Sequence, residues 1–165
     1  PIHFEIGSPH SAVKYFPHDI KISTLTYMKS LLHIPDSILS GLEPVFNYQL
    51  SHFRSNAGTK GYMKNLHETV SEIDINSEHM IRSFLHDIIP GAAFYGEETE
   101  QSRSNGLTWV VDPIDGTTNY LKGIDLWSVS IALLENHSPV VSCIVRPAAG
   151  ETFTAVKGFG AFHNG

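Results

Sequence analysis

Residues Thr108–Asn119 read TWVVDPIDGTTN, and the rest of the chain is read outward from this stretch. The run TWVV is apolar on both faces, as a covered strand should be. Pro113 has no N–H and is expected to end ladder pairing. Gly116 permits a sharp turn, and Thr117 and Thr118 suit the cap of a helix starting there. Asp112 and Asp115 stand three residues apart on that turn and can converge on one point. The repulsion between them then has to be relieved by a proton or a cation. Oxygen-only donors select a hard cation, Mg2+ before Zn2+, and the N–H groups at the start of the helix are where a phosphate would sit. A plainer reading stands beside this one: an Asx/Pro turn that merely caps a helix. An EF-hand loop fits poorly, because it needs a Glu at its twelfth position, where Gly123 stands.

Downstream, Ser128–Leu134 (SVSIALL) and Val140–Val145 (VVSCIV) are strands joined by a hairpin loop over Glu135–Pro139. Thr152–Val156 makes a further strand, and Gly158-Phe159-Gly160 turns the chain. Upstream, Ala93–Gly96 is a short buried strand. Before it, Met80, Ile81, Phe84, Leu85 and Ile88 follow a 3.6-residue period, which places a helix over Ser77–Ile89, stopped by Pro90-Gly91. A second helix is expected over about Asp36–Arg54, with Ile38, Leu42, Val45, Phe46 and Phe53 near one face. Ser55–Lys64 reads as a Gly/Lys loop, and residues 1–35 carry no sustained period and nothing like a secretory apolar stretch. Helices first and strands after give an α+β fold, with helices packed on a largely antiparallel sheet. The expected organisation is a divergent segment over residues 1–60 and an α+β, metal-binding domain over 61–165.

Composition narrows the function classes. The 165 residues hold 11 Lys+Arg against 17 Asp+Glu, a net charge of −6, so no basic footprint for nucleic acid is present. No apolar run approaches the roughly 18 residues of a membrane span. The lone Cys143 cannot pair within the chain and sits in an apolar run, so it reads as a small core residue in a reducing, cytoplasmic setting. The ten histidines include His79 and His86 on one helical face, but no H-x-x-x-H string occurs, and they read as surface imidazoles. Gly158-x-Gly160 lacks the third glycine of a dinucleotide fingerprint. The sequon at Asn136-His137-Ser138 reads as chance. Lys64 reads as a solvated loop lysine with an electrostatic role as the alternative. The chain starts on Pro1, which leads us to expect a piece of something longer.

Two more strings complete the set: Gly96-Glu97-Glu98-Thr99 after the short strand, and Glu68–Asp74 (ETVSEID) leading into the helix. Taken alone, the first is a solvated loop and Asp74 a first-turn acid favoured by the helix dipole. Taken in order, V-S-E-I-D, G-E-E, W-V-V-D-P-I-D-G-T-T-N, V-S-I-A-L and E-T-F-T-A-V-K-G-F-G-A-F-H-N-G resemble the inositol monophosphatase family of Mg2+-dependent, lithium-sensitive phosphomonoesterases, over about Lys64–Gly165.

That resemblance implies the N-terminal half of the family's layered α/β fold. It implies that Glu97, Asp112 and the Ile114 carbonyl hold a first metal and that Asp112 and Asp115 share a second. Asp74 and Thr117 match the positions that orient and deprotonate the attacking water. The amides of Gly116 and Thr117 would bind phosphate oxygens, and Asp115 would also touch the substrate hydroxyl. Glu98 is given a supporting role. Mg2+ is the implied cofactor, with Mn2+ as a substitute and Li+ as an inhibitor. The implied partners are a small sugar or polyol phosphate, with D-G-T-T-N leaning to the inositol-phosphate branch, and a homodimer or a complementing C-terminal half. Two departures stand out: Gly123–Trp127 (GIDLW) replaces a Pro-aromatic pair, and no Trp-Asp string supplies the further second-metal ligand that the family's C-terminal half carries. The alternative is a truncated or catalytically silent domain that binds a metal or a partner without turnover.

Overall fold

A computed structural model describes residues 22–55, 61–63, 69–99, 102 and 104–165. In chain order, helices α1 (Ile22–Ser30), α2 (Ile34–Gly41) and α3 (Glu43–His52) precede two short strands, β1 (Gly61–Met63) and β2 (Thr69–Ser71). Helix α4 (Glu72–Ile88), strands β3 (Ala93–Gly96) and β4 (Leu107–Asp115) and the short helix α5 (Thr117–Leu121) follow. The chain closes with β5 (Ser128–Glu135), β6 (Ser138–Arg146), β7 (Glu151–Val156) and β8 (Gly160–His163).

The main sheet has the order β3-β4-β5-β6-β7-β8, and β1 pairs with β2 alone. Only β3 and β4 run parallel; every other neighbouring pair in the main sheet is antiparallel. The fold is thus α+β with a largely antiparallel sheet, as the pattern of elements implied. In β5 the period of two aims Val129, Ile131 and Leu133 into the core and leaves Ser128, Ser130 and Ala132 half-buried. Helices α2 and α4 cover that face through Ile34, Ile38, Leu42, Ile81 and Leu85, which join Trp109, Val111, Val141 and Cys143 in one cluster. Burying each such aliphatic side chain is worth about 1.5–3 kcal/mol. No helix among the described residues is long and apolar enough to cross a membrane.

Several expectations need correction. The helix expected over Asp36–Arg54 is two helices, broken at Leu42. Pro44 in the first turn of α3 explains the break, because proline fits where an N–H has no intrahelical partner but not in a helix interior. Helix α4 begins at Glu72, five residues before the expected Ser77, because Ser71 and Asp74 form a capping box that the apolar period does not register. The Ser55–Lys64 loop contains strand β1, and residues 22–30, read as aperiodic, form α1. Pro113 interrupts the ladder without ending it: Asp112 pairs with Ser130, the register shifts, and Asp115 pairs with Ser128. After the Gly158–Gly160 turn a further strand, β8, forms the far edge. Lys64, Glu68 and residues 1–21 lie outside the described residues.

Candidate metal and phosphate site

The parallel pair β3–β4 decides where the acids go. Gly96 registers with Val111, the last pair of the β3–β4 ladder, so the residues that follow, Glu97 just past β3 and Asp112 still paired with β5, come side by side. The Glu97 N–H donates to the Val111 carbonyl at 3.1 Å and keeps the two chains together for one residue past the strand. The Asp112 and Glu97 side chains come within hydrogen-bonding reach of each other. Burial, then Glu97, then the charge of Asp115 push the Asp112 carboxyl up to about 8, against the pull of the Ile114 N–H. That N–H donates to Asp112 Oδ1 at 3.1 Å. Asp115 is exposed beside them. Among the described residues, no three His, Cys, Asp or Glu side chains are gathered as a preformed cage. The arrangement is two carboxylates in contact and a third within electrostatic reach.

The turn that follows has a steric requirement. Gly116 has φ +99°, and a Cβ there would lie 2.9 Å from the Leu126 carbonyl oxygen. Gly116 itself is the N-cap of α5, with no side-chain cap, which corrects the expectation that Thr117 or Thr118 would cap this helix. Thr117 is the first helical residue, and its hydroxyl is used elsewhere. Oγ1 lies 3.0 Å from Asp74 Oδ1 and 3.0 Å from the Ile114 carbonyl oxygen. Beneath the turn, Ile73, Ile114, Tyr120 and Trp127 form a second small core, with Tyr120 edge-on to Trp127 at 5.0 Å.

Asp74 is 1% exposed in the first turn of α4. Its Oδ2 accepts the Ser71 N–H at 3.0 Å and the Ser71 hydroxyl, while Oδ1 faces Thr117. Burial raises its pKa, and the donors of Ser71 and Thr117 oppose the rise. The structure therefore brings the site residues into two groups: Asp74 with Thr117 and the Ile114 carbonyl, and Glu97 with Asp112 and, more loosely, Asp115. Both groups hang on the single Asp112–Thr117 turn.

Two side chains that the sequence reading passed over brace this turn and its neighbour. Gln49, fully buried on α3, donates through Nε2 to the Pro113 carbonyl at 2.8 Å, and its main-chain carbonyl accepts the Tyr120 hydroxyl at 2.7 Å. Glu78, fully buried on α4, accepts the N–H groups of Glu98 and Thr99. The Glu98 main chain is thereby held to α4. Nothing in the apolar period marks a lone Gln or Glu as buried; only the tertiary donors and acceptors do.

The description of the family model "Inositol monophosphatase family" matches residues 43–165. The chain belongs to that family. Its relatives include inositol monophosphatase 2 of Solanum lycopersicum, 40% identical over 108 residues, an overlap of 62% of this chain and 41% of the tomato protein. The histidinol-phosphatase of Streptomyces coelicolor is 40% identical over 97 residues, 56% of this chain and 36% of that protein. Among solved structures, the extragenic suppressor protein SuhB of Bartonella henselae superposes with a TM-score of 0.73 at 30% identity, over 79% of this chain and 52% of that one. The chain thus spans about half or less of the length of the relatives it matches.

Proposed function

We propose that this chain carries the metal- and phosphate-binding half of a phosphomonoesterase site, acting in the complete enzyme on a small sugar or polyol phosphate. The observation that carries the reading is the Glu97–Asp112 pair at the carboxyl edge of β3–β4. Two carboxylates brought this close repel each other when both are charged, and a divalent cation between them relieves that repulsion. All donors there are oxygens, which fits Mg2+ or Mn2+, and Li+ is the expected inhibitor by family resemblance. Glu97, Asp112 and the Ile114 carbonyl would hold one ion, and Asp112 with Asp115 would contribute to a second. A bound ion supplies Lewis acidity and a more acidic water.

The chain's own residues supply the rest. Asp74 orients the Thr117 hydroxyl and is the base that accepts a proton relayed through it from the attacking water. The Gly116 and Thr117 N–H groups, free of helix partners, are donors for phosphate oxygens. Asp115, which is exposed, would touch the substrate hydroxyl. Water attacks phosphorus in line as the ester P–O bond breaks, the departing alkoxide takes a proton from solvent water, and no covalent intermediate forms. The relatives' names refer to two different phosphate monoesters, inositol monophosphate and histidinol phosphate, which supports a class of substrate and not one compound.

The test is a Mn2+ titration by calorimetry on the chain and on Asp112→Asn, run beside an assay of phosphate release from inositol 1-phosphate in Mg2+. Binding that Asp112→Asn abolishes is the expected result. Unchanged affinity in Asp112→Asn overturns the site.

A second reading, binding without turnover, has its own observation. Ile144, Phe153 and Phe162 on β6, β7 and β8 are 40%, 39% and 48% exposed, and every residue of the edge strand β8 is exposed. Such an edge and apolar patch are where a partner would add. Mn2+ binding with no phosphate release would favour this reading.

A further inference from the structure

We infer that Glu78 is a positioning residue that aims Glu97 at Asp112, an inference that rests on the metal site proposed above. Glu78 lies one helical turn beyond Asp74 on α4, so the same face of one helix presents a carboxylate to each of the two chain segments that build the site. Asp74 takes the Thr117 turn. Glu78, 0% exposed, takes the Gly96–Thr99 turn.

Its hold on that turn is complete on both oxygens. Oε2 accepts the Glu98 N–H at 2.7 Å, and Oε1 accepts the Thr99 N–H at 2.9 Å together with the Thr99 hydroxyl. The partners are all donors of one turn, and two of them are backbone, so what Glu78 fixes is the path of the chain. On the other side, the Glu97 N–H is tied to the Val111 carbonyl. Glu97 is therefore clamped between β4 before it and Glu78 after it. That fixes the Cα–Cβ direction from which its carboxylate reaches Asp112.

Gly96 shows how closely this carboxylate approaches. A Cβ at Gly96 would lie 2.3 Å from Glu78 Oε1, 2.4 Å from Cδ and 2.6 Å from Oε2. The glycine that opens the G-E-E string is thus required by Glu78, not by a turn angle. A buried ionised carboxylate is costly unless fully hydrogen-bonded, and an apolar residue of like volume would often serve stability as well. An acceptor at this position is explained by the N–H groups it orders.

The experiment measures Mn2+ affinity by calorimetry, with circular dichroism and thermal unfolding of the metal-free protein, for the full chain and for Glu97→Gln, Glu78→Gln, Gly96→Ala and Thr99→Val. Leu133→Ala, in the main core, serves as a control for a general loss of stability. Glu78→Gln keeps the shape but turns one acceptor into a donor facing an N–H group. It and Gly96→Ala are each expected to weaken Mn2+ binding about tenfold or more, and Thr99→Val about threefold. The control lowers the unfolding temperature and leaves the affinity unchanged. If Glu97→Gln itself binds Mn2+ like the parent, the proposed site falls. If Glu97→Gln weakens binding and Glu78→Gln does not, only the positioning role falls. Should Glu78→Gln fail to fold, Thr99→Val decides the matter alone: parental affinity there overturns the inference.

Discussion

Thr117 and Asp74, 43 residues apart in sequence, are joined by a 3.0 Å hydrogen bond in which the Thr117 hydroxyl donates to Asp74 Oδ1. The same hydroxyl lies 3.0 Å from the Ile114 carbonyl oxygen, yet it has a single proton to give. When that proton goes to Asp74, the Thr117 oxygen keeps its lone pairs for a water molecule. Thr117→Val removes donor and acceptor together. It is expected to cost about 1–3 kcal/mol of stability, since Asp74 Oδ1 is left buried without a donor. In the complete enzyme it should also lower kcat by about 10²-fold or more with little change in KM. Thr117→Ser keeps both properties close to the parent. Urea unfolding and phosphate-release kinetics on the two variants check this, and equal kinetics for Val and Ser would refute the relay.

The Glu97–Asp112 pair makes the metal-free protein pH-sensitive in a direction that can be worked out. The folded-state pKa of Asp112 is raised from 3.8 to about 8, so between those values the folded protein binds a proton that the unfolded chain has released. Stability then falls as pH rises across this window and levels off above it. In EDTA the unfolding temperature should decline from about pH 4 to about pH 8. Asp112→Asn removes the carboxyl and with it most of that slope, and it should be more stable than the parent at pH 8 while losing Mg2+ binding. Differential scanning calorimetry across the pH range checks both. A parental slope of the opposite sign would mean that the Asp112 carboxyl is not raised in the folded protein.

Much of this site is written locally, and that part was legible. The Asp112–Thr117 turn, with its paired acids, Pro113 and Gly116, announces an acidic turn at a strand end, and the period of two in Ser128–Leu134 and Val140–Val145 announces the sheet beside it. The illegible part is tertiary. Gln49 and Glu78 are single polar residues on helices whose apolar faces say nothing of them, and their buried Nε2 and carboxylate groups bond to backbone more than a dozen residues away. The helix break at Leu42 was missed because the apolar period runs on through it, whereas Pro44 obeys a local steric rule that overrides the period. Strands β1 and β2 are three residues each, too short for any alternation to show.

Gln49 provides a test of how far the turn depends on support from outside. Its Nε2 is the donor to the Pro113 carbonyl, and Pro113 lies at the register shift where β4 has left its regular ladder. Gln49→Leu keeps the volume and leaves that carbonyl without its buried partner, at a cost of about 1–3 kcal/mol. The loss should be local as well as global. Hydrogen exchange at the amides of Ile114, Asn119 and Tyr120, which are hydrogen-bonded within the turn, should accelerate more than exchange in β6, whose core contacts are untouched. Uniform acceleration across the sheet would show that Gln49 serves the whole fold and not the turn.

Cys143 lies in β6 between Ile131 on β5 and Thr154 on β7 and is fully buried. Burial alone pushes its thiol up to about 12. At pH 8 the native thiolate is then about one part in 10⁴, and reaction with a disulfide reagent needs that thiolate as well as access. The native chain should therefore stay unlabelled by 5,5′-dithiobis(2-nitrobenzoic acid) over a period in which the urea-unfolded chain reacts to completion. The labelling rate in increasing urea should follow the unfolding transition measured by circular dichroism, which makes Cys143 a built-in reporter for the stability changes above. Rapid labelling of the native protein would mean that β6 opens to solvent without global unfolding.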